Sequence, residues 1–145
     1  MRDKPNILVL CTGNSCRSQM AEGYFRRFAA DRFESHSAGT EPKQEIHPLA
    51  LQVMGEDGVD LAGQRPKGLK GILGRLPVRF LIIVCDGANE SCPVTFPGVL
   101  RRLFWPFDDP AAFVGSLEET LSEFRRVREE IKDRILAWLE SEESS

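Results

Sequence analysis

The chain has 145 residues, a net charge of −3 and no basic stripe interleaved with aromatics, which excludes the usual footprint of a nucleic-acid binder. No apolar run approaches the roughly 20 residues that span a bilayer, and the N-terminal apolar stretch is short and has no small-residue cleavage pattern, so the chain reads as cytoplasmic, with no membrane segment. Its length suits one domain over residues 1–140, burying about two thirds of its unfolded surface without staples, with residues 141–145 as a disordered tail. Four cysteines without a secretory pattern argue for thiols used in chemistry, and neither His36 nor His47 stands in a zinc-ligand pattern, so no metal is expected.

Ile7-Leu8-Val9-Leu10 is short, apolar and partly β-branched, and ends where Gly13 and Asn14 permit a tight turn, so it reads as a buried strand. A helix follows the loop. Ser18 is placed to cap it, and Met20, Ala21, Tyr24, Phe25 and Phe28 share one face at three- and four-residue spacing. A loop that joins a strand to a helix N-terminus gathers backbone N–H groups and partial positive charge. Thr12, Gly13, Asn14, Ser15, Cys16, Arg17 and Ser18 therefore form a cup for a tetrahedral oxyanion, with the Arg17 guanidinium closing it.

Cys11, at the strand end, is the candidate nucleophile, and the field of the cup is expected to stabilise its thiolate. Lowering a thiol pKa from about 8.5 to about 6 raises the thiolate fraction roughly thirtyfold but weakens its nucleophilicity about tenfold. Most acceleration must then come from in-line positioning and preorganised N–H groups. The competing reading is a buried structural cysteine with Arg17 as a surface charge. The stretch CTGNSCRSQMAEGYF resembles the phosphate-binding loop and first helix of the low-molecular-weight tyrosine phosphatases and of their relatives, the thioredoxin-coupled arsenate reductases, and the resemblance runs over nearly the whole chain.

Farther along, residues 33–38 read as a second strand, turned by Gly39-Thr40-Glu41-Pro42 and paired parallel to the first. Pro48 suits a helix's first turn, with His47 as a helix-start residue, Leu49, Ala50, Val53 and Met54 as the apolar face, and Gly55 and Gly58 at its end. Residues 63–77 read as a broken surface helix whose apolar side is Leu69, Ile72, Leu73 and Leu76. Phe80-Leu81-Ile82-Ile83-Val84 is a central parallel strand ending at Cys85, and residues 101–105 a weaker one. The last helix opens on the capping box of Ser116 and Glu119 and carries Leu117, Leu121, Phe124, Ile131, Ile135 and Trp138 inward. The fold class is α/β, a single domain with a four-stranded parallel open sheet and helices on both faces.

In such sheets the site lies beyond the carboxyl ends of the strands, so Cys85 and Cys11 belong on one rim. Cys85 and Cys92 lie seven residues apart, about 10 Å in a helix, whereas a disulfide needs about 4–7 Å, so bridging them requires the segment to unwind. The pair matches, by the resemblance, the resolving cysteines of the arsenate reductases, which the tyrosine phosphatases lack. Phe107-Asp108-Asp109-Pro110 offers a carboxyl at the rim as general acid. The resemblance assigns that role to Asp109, the aspartate before proline, and leaves Asp108 to orient the turn. Phosphatases of the family place tyrosines after that proline; Ala111-Ala112-Phe113 stand here.

The resemblance implies reduction of arsenate to arsenite by a relay through Cys11, Cys85 and Cys92, regenerated by thioredoxin and serving arsenic detoxification, with phosphate or sulfate as competing anions and Cys16 structural. The alternative is a low-molecular-weight protein tyrosine phosphatase acting through a Cys11 phosphoenzyme. Some of these reductases bind potassium through residues matching Asn14, Glu22 and Ser37 and an aspartate after the position of Gln64. Lys67 takes the aspartate's place here, so the potassium site is expected to be lost, with Lys67 either paired to Glu22 or turned to solvent.

Overall fold

The computed structural model describes residues 4–72, 75–85 and 99–143. Strands β1 (Asn6–Cys11), β2 (Glu34–Gly39), β3 (Val78–Ile83) and β4 (Arg101–Phe104) form one parallel sheet in the order β2-β1-β3-β4. Ile7, Leu8, Val9 and Leu10 are all fully buried. Side chains alternate between faces along a strand, so β1 is covered on both, which is why its sequence is continuously apolar rather than alternating. In register, Cys11 faces Gly39 and Leu10 faces Ile83, and these strand ends, with Val84 and Cys85 beyond, make the rim that carries the site.

Three α-helices complete the described layers: α1 (Arg17–Ala29), α2 (Pro48–Glu56) and α3 (Leu117–Glu143). Both α1 and α2 pack on α3. Trp138 of α3 meets Phe25, Phe33, Phe80 and Trp105 at centroid distances of 5.4–6.0 Å, so one side chain joins α1, α3 and the sheet. The Tyr24 hydroxyl donates to Asp57 at 2.8 Å and Lys132 pairs with the same carboxylate at 3.0 Å, tying α1 and α3 to the end of α2. Among the described residues no helix is long and apolar enough to cross a membrane.

His47 caps α2 by accepting the Leu49 N–H on Nδ1, and Ser116 and Glu119 exchange both bonds of the expected capping box. Four expectations change. Ser18 does not cap α1: Cys16 holds the cap position, and Ser18 sits buried in the first turn, its hydroxyl engaged by Cys11 and Asn14. Among the described residues of 63–77 there is no helix beyond a 3-10 turn at Leu69–Gly71, Leu73 lying outside them; Gly63, Pro66, Gly68 and Gly71 interrupt the pattern, and Gly68 instead bridges alongside Gly39 at the end of β2. Leu117 is 66% exposed, because α3 starts a turn before it meets its partners, whereas Val127 and Leu139 join its buried face. The helix also runs past residue 140 to Glu143, where a tail was expected to begin.

Candidate active site

After β2 the chain returns along the outside of the loop that follows β1. The N–H groups of Thr40, Glu41, Lys43 and His47 donate to the carbonyls of Cys11, Thr12, Gly13 and Ser15 at 2.9–3.2 Å. Gln19 Nε2 takes the Asn14 carbonyl at 3.0 Å and the Met20 N–H takes that of Cys16 at 2.9 Å. Every carbonyl from Cys11 to Cys16 thus has a donor. The Asn14 N–H points to Cys11 Sγ at 3.1 Å, and those of Gly13, Ser15 and Cys16 have no acceptor among the described residues, leaving them free for an anion.

Two backbone features permit this inversion. Asn14 has φ of 51°, a left-handed conformation that asparagine tolerates better than most residues. Its side chain is held from three directions: Nδ2 donates to Ser18 Oγ at 2.7 Å, while Oδ1 accepts from Gln19 Nε2 at 3.0 Å and from the Lys67 N–H at 2.8 Å. Gly39 lets β2 pass directly beneath the loop, since a Cβ there would stand 2.5 Å from the Thr12 carbonyl oxygen.

Cys11 lies at the floor of a cavity of about 450 Å³, lined also by Thr12, Gly13, Asn14, Ser15, Cys16, Arg17 and Asp109. The seven site residues expected from Cys11 to Arg17 and the separate Asp109 are therefore brought together, with Ser18 behind them, 2.8 Å from Cys11 Sγ. The expectation of a lowered Cys11 pKa is reversed in the structure: burial pushes the thiol up, and the bonds from Ser18 and Asn14 pull it back only in part. Cys16 is pushed up to about 12 by burial and by the charge of Asp109, which makes it an inert thiol.

Arg17 is anchored by donating to the Phe107 carbonyl at 3.0 Å and stands 3.7 Å from Asp109. Asp109 in turn accepts the Ala111 N–H at 3.0 Å, so its carboxyl is held at the cavity, whereas Asp108 turns away to Arg126 on α3 at 3.1 Å. Cys85 Sγ lies 3.3 Å from Thr12 Oγ1. Cys92 and the expected unwinding between Cys85 and Cys92 lie outside the described residues.

The model of the low molecular weight phosphotyrosine protein phosphatase family matches residues 6–144. The chain belongs to that family. Within it, the chain is 40% identical to an arsenate reductase of Shouchella clausii, over 97% of this chain and 99% of that one, and 40% identical to one of Bacillus subtilis, over 93% and 95%. A solved arsenate reductase in the phosphate binding state superposes with a TM-score of 0.72 at 28% identity, covering 94% of this chain and 98% of the other. A thioredoxin-dependent arsenate reductase of Corynebacterium glutamicum gives 0.64 at 31% identity, over 92% of this chain and 63% of that one.

The phosphatase-family cup contains residues that sequence reasoning missed. Ala111 and Ala112, already noted after Pro110, line the cavity, while Gln19, on α1, secures both oxygens of Asn14 and the unexpected Glu41 and Lys43 join the lining. Nothing in the periodicity of residues 40–47 marks them, because their register against the loop is set by backbone bonds. A cluster of three or more potential metal ligands is absent among the described residues.

Proposed function

We propose that this chain reduces arsenate to arsenite by moving a disulfide outward from Cys11 through Cys85 to Cys92, with thioredoxin as the reductant of the last pair in a cytoplasmic setting. The observation that carries this reading is the second thiol: Cys85 touches the anion loop through Thr12, a contact that a hydrolytic cycle has no use for. The 40% identical arsenate reductases support the substrate, and the thioredoxin-dependent neighbour supports the reductant.

Arsenate binds to the free N–H groups of the loop and to Arg17. Cys11 sulfur attacks arsenic as its proton passes to an arsenate oxygen. Asp109 adds a second proton, that oxygen leaves as water, and a Cys11–arsenic bond remains. Cys85 then attacks Cys11 sulfur; the sulfur–arsenic bond breaks, its electron pair stays with arsenic, and arsenite departs. Cys92 attacks Cys85, releasing Cys11 and leaving a Cys85–Cys92 disulfide for thioredoxin to reduce.

We infer that Lys67 supplies the charge that a cation supplies at the corresponding position of potassium-binding relatives. The Lys67 ammonium stands 3.7 Å from the buried Glu22 carboxylate, which also accepts from Ser37 Oγ at 2.5 Å, so the positive charge there belongs to the chain. The decisive experiment is arsenite production from arsenate with thioredoxin, thioredoxin reductase and NADPH. Turnover supports the reading; a fully folded, reduced enzyme that yields no arsenite while hydrolysing phosphomonoesters makes it a phosphatase.

A further inference from the structure

The cavity carries two formal charges that the proposed reaction leaves unused, Glu41 and Lys43, both exposed and both on the segment that wraps the loop. Lys43 is anchored where it matters: its N–H donates to the Gly13 carbonyl at 2.9 Å. Its stem then lies across Gly13, for a Cβ built on that glycine would stand 3.2 Å from Lys43 Cε and 3.4 Å from Cγ. With Cε beside the loop, the ammonium lies one bond from a group that lines the cup. It has no ion-pair partner among the described residues.

Charge decides what this cation does. With Asp109 carrying the proton that it donates in the reaction, Arg17 and Glu41 offset each other among the lining groups, and Lys43 adds the net positive charge that favours entry of a dianion. Among the described residues the lining also includes Ala111 and Ala112 but no aromatic ring on which an aryl ester would stack.

We propose that Lys43 is a specificity-determining residue, whose ammonium draws a compact, doubly charged tetrahedral oxyanion into the cup and binds it from the Gly13 side while Arg17 binds it from the helix end. The proposal rests on reading the cup as an oxyanion site. An ammonium about 6 Å from a dianion favours its binding about tenfold in water, and about threefold once salt screens it.

Inorganic phosphate is the probe, read as protection of Cys11 from iodoacetamide, so that the test stands apart from arsenate turnover. Lys43→Met keeps the stem and removes the charge. At low ionic strength it is expected to raise the phosphate concentration for half-protection about three- to tenfold, the gap closing above about 0.5 M salt, with Lys43→Arg close to wild type. With arsenate, the same loss sits in kcat/KM through KM. Half-protection that Lys43→Met leaves unchanged at low salt, or a change that salt does not diminish, overturns the proposal. A wild type that binds phosphate with the expected Lys43 dependence yet makes no arsenite would overturn the reductase reading alone.

Discussion

Ser18 Oγ stands 2.8 Å from Cys11 Sγ while accepting the Asn14 side-chain amide at 2.7 Å, so its hydroxyl hydrogen is free to serve the sulfur as the thiolate forms. Removing it with Ser18→Ala takes away one hydrogen bond to a developing charge, about 1.5–3 kcal/mol. The expected outcome is an upward shift in the pH midpoint of Cys11 alkylation and a tenfold to hundredfold lower rate. The sign of the linked stability follows from the raised pKa. Cys11 keeps its proton in the fold beyond the pH at which the unfolded thiol loses it, so this stabilisation is complete below about pH 9 and is lost as pH rises toward the folded value. Denaturant titrations in reductant should therefore show wild type losing more stability than Cys11→Ser between pH 8 and pH 10, both taken as approximate settings. Parallel losses would contradict the burial of a neutral thiol.

The two chemistries open to the cup separate at the second thiol. Cys11→Ser should abolish both arsenite release and p-nitrophenyl phosphate hydrolysis, while phosphate still binds. Cys85→Ser and Cys92→Ser should lose the reductase alone, since hydrolysis needs the loop, Arg17 and Asp109 but no electrons. Equal loss of both activities in folded Cys85→Ser protein would mean that Cys85 serves the structure of the rim.

Gly39→Ala tests the close approach of β2 to the loop. The added methyl would stand 2.5 Å from backbone oxygen, which no side-chain rotation relieves, so Thr12 and Asn14 must move. Loops of this kind tolerate little displacement, and phosphate protection of Cys11 should weaken at least about tenfold. Normal protection and normal thermal stability in this variant would show that the loop yields freely.

Exchange of potassium for choline at constant ionic strength should leave arsenate reduction unchanged, because Lys67 already supplies the charge facing Glu22. Lys67→Asp should create a potassium dependence. The Lys67 side chain is 36% exposed, so the pair's contribution to stability is small, about 0–1 kcal/mol, and activity is the informative readout. Strong potassium activation of the wild type would defeat this account.

The central strands and the cup were legible in the residues themselves, because each rests on a local rule. Continuous apolar runs at Ile7 and Phe80 require burial on two faces, and a turn-forming loop feeding a helix must expose N–H groups. Asp109 needed the family resemblance to be told from Asp108; in the fold, Arg17 holds one carboxyl at the cavity and Arg126 draws the other to α3. Ser18 and Cys11 were misjudged for one reason. Capping propensity and an electropositive field are properties of an isolated segment, whereas the bond from Ser18 to sulfur and the desolvation of Cys11 arise when α1, β2 and the wrapping segment close over the loop. Lys43 and Gln19 left no trace in any pattern, because hydrogen bonds between chain segments distant in sequence place them at the cup.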